Sequence, residues 1–588
     1  CPYMDDNKKF YGINDSTWGH KWGYKDSGFV VNKDRSVTFT GKRYPICGKT
    51  LPNFIPFVEE ILGVEFELNP KIKEVEKKHV SNKNINNLFM EDIKKAFNPD
   101  RFTDEDRERV LHSHGQHSTD EVYKVLYNKL DKFADLVFYI ETEEETELLI
   151  ALAKKHNVCL IPYGGGTNVT NALRPPKDEN RMVVSVDTRR MDLIESVDDE
   201  NLLVTVQAGI TGKALESSLN KQGFTVGHEP DSYEFSTVGG WISTNAAGMK
   251  KHRYGNIEDI VQNMTMITPK GKLSQTKPFT RSSFGIKTQN IMFGTEGNLG
   301  IITKATLKIH RLPESSGYES IIFKDWETGV RFMYDLFHSN MVPASARLAD
   351  NLQIRLGNAL KEEKIGFPGL IDKIKKYILF NIKGLDPEKF TAAVFKIEGS
   401  ESEVSAQHKN LKNLASRHGG ILAGESTGRS GYLATMVIAY IRELIFTQNI
   451  LGETMETAVP WSKINQVKRE GFKLVTKLHK EYKLPGKPFF TSRISKIYHT
   501  GVCMYNTIAM SYDGIEKPED VFTTIEHKMR KSFIENGGSI SHHHGVGKLR
   551  KDFMPDTISK GSIEMIRGIK KTQDPENIFG VKNNIVTD

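Results

Sequence analysis

The densest chemical signal in the 588-residue sequence is the run Ser541 to Lys551 (SHHHGVGKLRK), in which His542, His543 and His544 stand side by side ahead of Gly545, Gly547 and Lys548. Three adjacent imidazoles suit neither one helix face nor one strand face. Imidazoles titrate near neutral pH, so such a loop can hold an anion or move a proton. A metal site and a solvated run are the competing readings; the metal reading lacks HExxH spacing and a flanking carboxylate set. A second signal is Pro162 to Val169 (PYGGGTNV), which follows the apolar run VCLI. Three glycines in a row let backbone N–H groups converge on an anion with no Cβ in the way. GxGxxG and GxxxxGK[ST] are both absent, and taken alone this loop is equally well read as a tight turn. Two further glycine-rich stretches follow, Pro230 to Gly248 and Gly294 to Thr303.

These loops need elements to carry them. Between Pro162 and Pro313, short β-branched runs (MVVSVDT, NLLVTVQAG, MTMITPKG, GIITKATLKIH) alternate with glycine turns and helical pieces such as Thr211 to Gln222, the pattern of an α+β domain. From Ile321 to Phe533, longer helical patterns alternate with strand-like segments such as Ala393 to Gly399 and Gly501 to Ala509, which predicts a second α+β domain. Residues 1–50 read as an extended lead-in lying over another domain, with a turn near Thr40, Gly41 and Lys42. Pro52 to Lys132 reads as helical, with Thr103 as a cap ahead of acidic residues. The expected division is 1–130 (extended and helical), 131–313, 314–536, and 537–588, the last returning to the active site.

Composition narrows the class. At 588 residues, 38% apolar and 26% charged, the chain is too long for one core and too ordinary for disorder, collagen or a coiled coil. A net charge of +7 is small for this length and suits an anionic small substrate or an anionic membrane surface better than nucleic acid. Four cysteines, Cys1, Cys47, Cys159 and Cys503, have neither zinc nor CxxC spacing, which predicts a reducing compartment. The most apolar stretch, Tyr432 to Phe446, is broken by Arg442 and Glu443 short of the ~20 residues that span a bilayer. The chain opens on Cys1 rather than Met, as after removal of a leader, and Val586, Thr587 and Asp588 do not form an SKL-type peroxisomal address.

Together the three glycine loops resemble the flavin-binding domain of the vanillyl-alcohol oxidase and p-cresol methylhydroxylase (PCMH) family. The resemblance implies an α+β fold: a two-subdomain PCMH-type FAD-binding domain, an α+β cap domain for substrate, and a helical N-terminal extension. It implies that Pro162, Tyr163, Gly164, Gly165, Gly166, Thr167 and Asn168 hold the FAD pyrophosphate. Asp231, Ser232, Tyr233, Glu234, Phe235, Ser236 and Thr237, with Thr244, Asn245, Ala246 and Ala247, would line the ribityl and isoalloxazine parts. Glu296, Gly297, Asn298, Leu299, Gly300, Ile301 and Ile302 would contact the adenosine end. Several members attach FAD through a histidine in the glycine loop; Thr167 cannot form that bond, so the FAD is expected to be non-covalent unless a histidine of the other domain links it.

Within that family, TGKRYP (40–45), GHEPDS (227–232), the Met249 to Lys251 run, YGNIED (254–259), PASARL (343–348) and the histidine loop are similar to the alkyldihydroxyacetonephosphate synthases, over residues 20–582. The resemblance implies exchange of the acyl chain of acyl-dihydroxyacetone phosphate for a long-chain fatty alcohol, in ether-lipid synthesis. Flavin N5 would act as a covalent handle, with no net redox change. It implies Tyr505 as acid/base, its phenol lowered from ~10 by a nearby cation, and Arg347 near the flavin as the source of that field. His542, His543 and His544 would contact the substrate phosphate and ketone. Arg442 would bind substrate through a guanidinium suited to phosphate, and His228 would face it.

Each of these residues also has a plain reading. Tyr505 suits a buried core position, Arg347 a surface ion pair, Arg442 a helix-surface charge, and His228 a structural hydrogen bond. His112, His114 and His117 (HSHGQH) read as a polar loop, with zinc as the alternative. A chain of about sixteen carbons buries on the order of 12 kcal/mol at ~0.8 kcal/mol per methylene. Tyr432 to Phe446 and Phe54, Ile55, Phe57 and Val58 are its candidate walls, or equally core helices. The remaining expectations are a homodimer, peripheral membrane association, association with dihydroxyacetone-phosphate acyltransferase, and a peroxisomal location at the inner membrane surface. The rival reactions are an FAD-dependent oxidase or dehydrogenase of a hydroxy acid or phenol, and a flavin-loaded scaffold without catalysis.

Overall fold

The computed structural model describes residues 16–68, 70, 80, 82–363, 374 and 377–586; Cys1, Thr587 and Asp588 lie outside them. The chain folds as two compact units. Among the described residues the first comprises 16–22, 80, 82–312 and 543–586, the second 23–68, 70, 313–363, 374 and 377–542. Residues 1–130 are therefore not a region of their own, and the histidine loop is divided by the boundary between His542 and His543.

Unit one has two larger sheets and a small one that pairs Phe224–Thr225 with His310–Arg311. In the four-stranded sheet the order is Phe102–Thr103, Leu136–Tyr139, Val183–Asp187, Cys159–Tyr163, and the last three strands are parallel. Val183–Asp187 is buried at every position, as a central parallel strand covered on both faces must be. The helix Glu143–Lys155 covers this sheet; it starts where the Thr142 hydroxyl accepts from the Glu145 N–H at 3.1 Å, and three glutamates of its first turn complement the helix dipole. Phe89, Ile93, Leu136, Phe138, Leu149, Leu160, Val184, Ile578 and Phe579 share one core here. The five-stranded antiparallel sheet runs Gly271–Ser274, Val261–Thr268, Ile301–Lys308, Leu203–Gln207, Ile194–Asp198, and its core includes Trp241, Ile242, Met266 and Leu307.

Unit two is built on one antiparallel seven-stranded sheet, in the order Ile421–Leu422, Ser315–Phe323, Thr391–Gly399, Ser345–Ala349, Phe489–Ile497, Gly501–Ser511, Ile450–Pro460. Long helices, Trp326–His338, Glu401–Arg417, Ile464–Glu481 and Pro518–Glu535, accompany it. The N-terminal strands Phe29–Val31, Val37–Phe39 and Thr50–Leu51 and the helix Phe54–Leu62 belong to this unit because Val37, Leu51, Phe54, Ile55 and Val58 share a core with Leu444, Ile450 and Phe489. Phe57 packs partly buried against that core.

The turn expected near Thr40, Gly41 and Lys42 is present: Gly41 (φ 92°) turns the chain between Val37–Phe39 and Thr50–Leu51, which pair antiparallel, and a further hairpin closes at Asn32 to Ser36, where Arg35 takes a left-handed φ of 65°. Thr103 ends a short strand and accepts from the Glu105 N–H at 3.2 Å; the helix begins later, at Asp106, because Thr103 is drawn into pairing with Val137. Tyr432 to Phe446 runs through three short helices, Glu425–Leu433, Thr435–Ile438 and Ile441–Phe446. Among the described residues no helix is long and apolar enough to cross a membrane.

Candidate functional site

The glycine loop of unit one leaves the C-terminal end of the parallel strand Cys159–Tyr163. Its glycines are sterically required. A Cβ at Gly165 would lie 2.0 Å from the Phe235 carbonyl oxygen, one at Gly164 would lie 2.5 Å from the Thr237 hydroxyl, and one at Gly166 would lie 2.2 Å from the Tyr163 hydroxyl. Loop 162–168 is thereby pressed against 231–237, a run of tight turns in which the Tyr233 N–H donates to Pro230 O and the Phe235 N–H to Ser232 O, each at 2.9 Å. Thr237 caps the helix Val238–Thr244, which Asn245 ends with φ 51°. Gly297 brings the third loop within 3.1 Å of the Pro162 ring, measured from where its Cβ would sit. Two donors here, Asn168 Nδ2 and Thr170 Oγ1, are buried without a partner among the described residues. Orphaned donors beside a Cβ-free backbone fit a bound anion such as a diphosphate.

The tail of the chain is stitched into these loops. Glu296 Oε1 accepts from the N–H groups of Val546 (2.7 Å) and Gly547 (2.8 Å), and Asn583 donates to Glu296 O at 2.8 Å and Ala172 O at 3.0 Å. Burial pushes Glu296 up to about 7, against those two backbone donors and the Arg550 and Lys548 charges. Burial likewise pulls Lys548 down to about 7, while its ammonium donates to Asn583 Oδ1 at 2.8 Å and Ala172 O at 3.1 Å. The rings of His543 and His544 lie 4.5 Å apart. His228 is fully buried with its ring 4.7 Å from Trp241.

His112 and His114 lie in a polar loop that is buried, and burial holds His114 down at about 4. His112 bridges Asp187 Oδ2 (2.9 Å) and Glu108 O (2.8 Å), and the N–H of Gln116, in the same loop, donates to Gly166 O at 2.8 Å. The HSHGQH segment thus forms part of the floor of the glycine loop, a role its polarity had hidden.

In unit two, Tyr505 sits 5% exposed on the strand Gly501–Ser511, opposite Glu456 on one neighbouring strand and Arg493 on the other. Residues directly opposite in an antiparallel pair share a face, so Glu456, Tyr505 and Arg493 form a row across three strands. The Arg493 guanidinium lies 4.6 Å and the Lys496 ammonium 5.9 Å from the Tyr505 ring centroid. Arg347, on the strand Ser345–Ala349 beyond Phe489–Ile497, donates from Nη1 to Thr435 Oγ1 at 2.6 Å, and its guanidinium covers the Tyr432 ring at 4.8 Å. Arg442 is buried rather than a helix-surface charge. Burial draws its guanidinium below the usual range, offset by Glu443 and Glu453. His542 is held twice: its N–H donates to Glu456 Oε2 at 2.7 Å, and its Nε2 is 2.7 Å from the Tyr498 hydroxyl. The other oxygen of Glu456 accepts from the Ser541 hydroxyl at 2.8 Å.

Glu456, Arg493 and Lys496 escaped the sequence reading. Their only trace there is a carboxylate inside an apolar strand run (MET in LGETMETAV) and two cations whose spacing breaks strand alternation (RISK).

Fold and cradle together define a flavin-binding protein of the FAD-linked oxidase architecture. Residues 134–277 match the FAD binding domain family, and residues 312–582 match the C-terminal domain of FAD linked oxidases. The chain is 38% identical to the alkyldihydroxyacetonephosphate synthase of Caenorhabditis elegans, over 96% of this chain and 94% of that one. It therefore belongs to the alkyldihydroxyacetonephosphate synthase family. A crystal structure of an alkyldihydroxyacetonephosphate synthase superimposes with a TM-score of 0.83 at 27% identity, covering 96% of this chain and 98% of that one. That of p-cresol methylhydroxylase with substrate bound gives 0.65 at 13% identity over 85% of this chain and 98% of that one, a likeness of fold alone. The cofactor is FAD, and the residues around Asn168 fit its diphosphate.

Proposed function

We propose that this chain exchanges the acyl chain of acyl-dihydroxyacetone phosphate for a long-chain fatty alcohol, releasing a fatty acid. The observation that carries this reading is the 38% identity, along 96% of the chain, to a relative bearing the synthase name. Bound FAD, held by 162–168, 231–237, 244–247 and 296–302, would supply a ring nitrogen as a covalent handle, with no net electron transfer. Tyr505 takes the proton from the carbon beside the ketone and later returns it, the work of a positioned acid/base whose affinity for the proton is matched to the task. The feature that supports that role is the pair of cations over its ring. Arg442 grips the substrate phosphate through its planar guanidinium. His542, His543 and His544 hydrogen-bond the phosphate and ketone, His228 faces the substrate, and Arg347, near the flavin, adds its charge to the field on Tyr505. The FAD is dissociable because Thr167 stands where the tethering histidine of the glycine loop would be. The protein is a homodimer of the peroxisome, peripheral to the inner membrane surface that delivers its lipid substrates, and associates with dihydroxyacetone-phosphate acyltransferase.

The test is turnover of acyl-dihydroxyacetone phosphate with hexadecanol by the purified yellow protein, following alkyl product and fatty acid together with any reduction of oxygen or dye. Equal amounts of both products with no acceptor reduced is the expected result. Acceptor consumption without exchange would replace it with an oxidase, and exchange untouched by Tyr505→Phe would remove Tyr505 from the reaction.

A further inference from the structure

The cations over Tyr505 arrive there through an irregularity in one strand. Side chains alternate along a strand, so Arg493 and Lys496, three residues apart, would ordinarily face opposite sides of the sheet. The pairing runs Arg493 with Tyr505, Ile494 with Met504, then Lys496 with Cys503, leaving Ser495 as an extra residue. This is a β-bulge, and it resets the alternation. Both cations consequently stand on the face that carries Cys503 and Tyr505, two residues apart on the partner strand. The Ser495 hydroxyl donates to Cys503 O at 3.4 Å across the bulge.

The charged and titratable groups nearest Tyr505 on that face are Arg493 and Lys496 from one neighbouring strand, Glu456 from the other, and Cys503 on the strand itself; Arg347 stands on the same face one strand beyond Arg493, and a ring nitrogen of His542 lies within 4.8 Å of the Cys503 sulfur. The buried Cys503 thiol registers all three: burial pushes it up to about 12, Glu456 adds to the rise, and Lys496 and Arg493 oppose it. Glu456 works against a phenolate as well, but its two oxygens are engaged by the Ser541 hydroxyl and the His542 N–H.

We propose that Arg493 and Lys496 are the positioning residues that set the acidity of the Tyr505 phenol, and that the bulge at Ser495 is what brings both onto its ring. A cation over the ring favours the negatively charged form by direct attraction, and a buried ring screens that attraction little. The inference rests on the acid/base reading of Tyr505 given above and adds the groups that make such a role possible near neutral pH.

The experiment titrates the flavin-loaded protein by tyrosinate absorbance. Wild type minus Tyr505→Phe isolates the ionisation of this one phenol. Arg493→Gln is expected to move its midpoint up by about 1 pH unit, Lys496→Met by less because it stands farther off, and Arg493→Lys to recover most of the shift. The rise of the exchange rate with pH should move by the same amount in each variant. Retention of the visible flavin spectrum checks folding; should Arg493→Gln lose it, Lys496→Met decides. A midpoint unmoved in both charge-removing variants overturns the proposal, even if activity falls. A midpoint that moves while the rate profile stays put upholds the role of the two cations and removes Tyr505 as the acid/base.

Discussion

The glycine cradle of unit one and the charged row of unit two impose opposite kinds of constraint. In the cradle, function is written as what must be missing: no side chain fits at Gly164, Gly165 or Gly166, since backbone or hydroxyl oxygens lie 2.0–2.5 Å from where each Cβ would be. In the row, function is written as which side chains meet, and Glu456, Arg493 and Tyr505 meet only because three strands pair in one register. A cradle of the first kind tolerates no substitution but needs few long-range decisions. A row of the second kind accepts many residue types and depends on every decision.

The comparison can be broken or sharpened by experiment. Gly165→Asp should act hardest, because its side chain meets the rigid Phe235 carbonyl; after gel filtration the protein should be colourless and inactive, and a variant that stays yellow would show that the loop gives way. Tyr505→Phe should leave the flavin bands intact while turnover falls by about 10² to 10⁴, the usual contribution of a general acid/base. Glu456→Ala strips an acceptor from the Ser541 hydroxyl and the His542 N–H, and should lower thermal stability by about 1–3 kcal/mol, with Glu456→Gln milder. Glu296→Gln should change least, since an amide oxygen can still accept from Val546 and Gly547. Its signature is a slope. A carboxyl raised from 4.5 to about 7 by burial binds its proton more tightly folded than unfolded, so it makes stability fall as pH climbs through that window. Glu296→Gln should flatten the melting curve there. Lys548, lowered from 10.5 to about 7, contributes the opposite slope above pH 7 in both proteins.

Much of the cradle could be read directly from residue order. The three glycine loops, the β-branched runs between them and the cap at Thr211 ahead of the helix Gly212–Asn220 all express local rules of backbone freedom and periodicity. The HSHGQH segment misled because polarity says nothing of burial once partners such as Asp187, seventy-five residues on, are supplied by the fold. The ring that Arg347 covers was out of reach for a related reason, since only the strand order and the packing upon it bring Tyr432 beneath the guanidinium.

By itself, then, the order of residues determined where the backbone had to be bare, which segments could extend or coil, and that a loop with room for an anion and a histidine run existed. Tertiary structure alone decided which cations stand over Tyr505, that Glu456 anchors His542, and that Glu296 pins the tail to the cradle. The physical reason is that conformational preference is short-ranged, whereas register and burial are collective outcomes of packing, and a single extra residue at Ser495 is enough to turn one charge from one face of a sheet to the other.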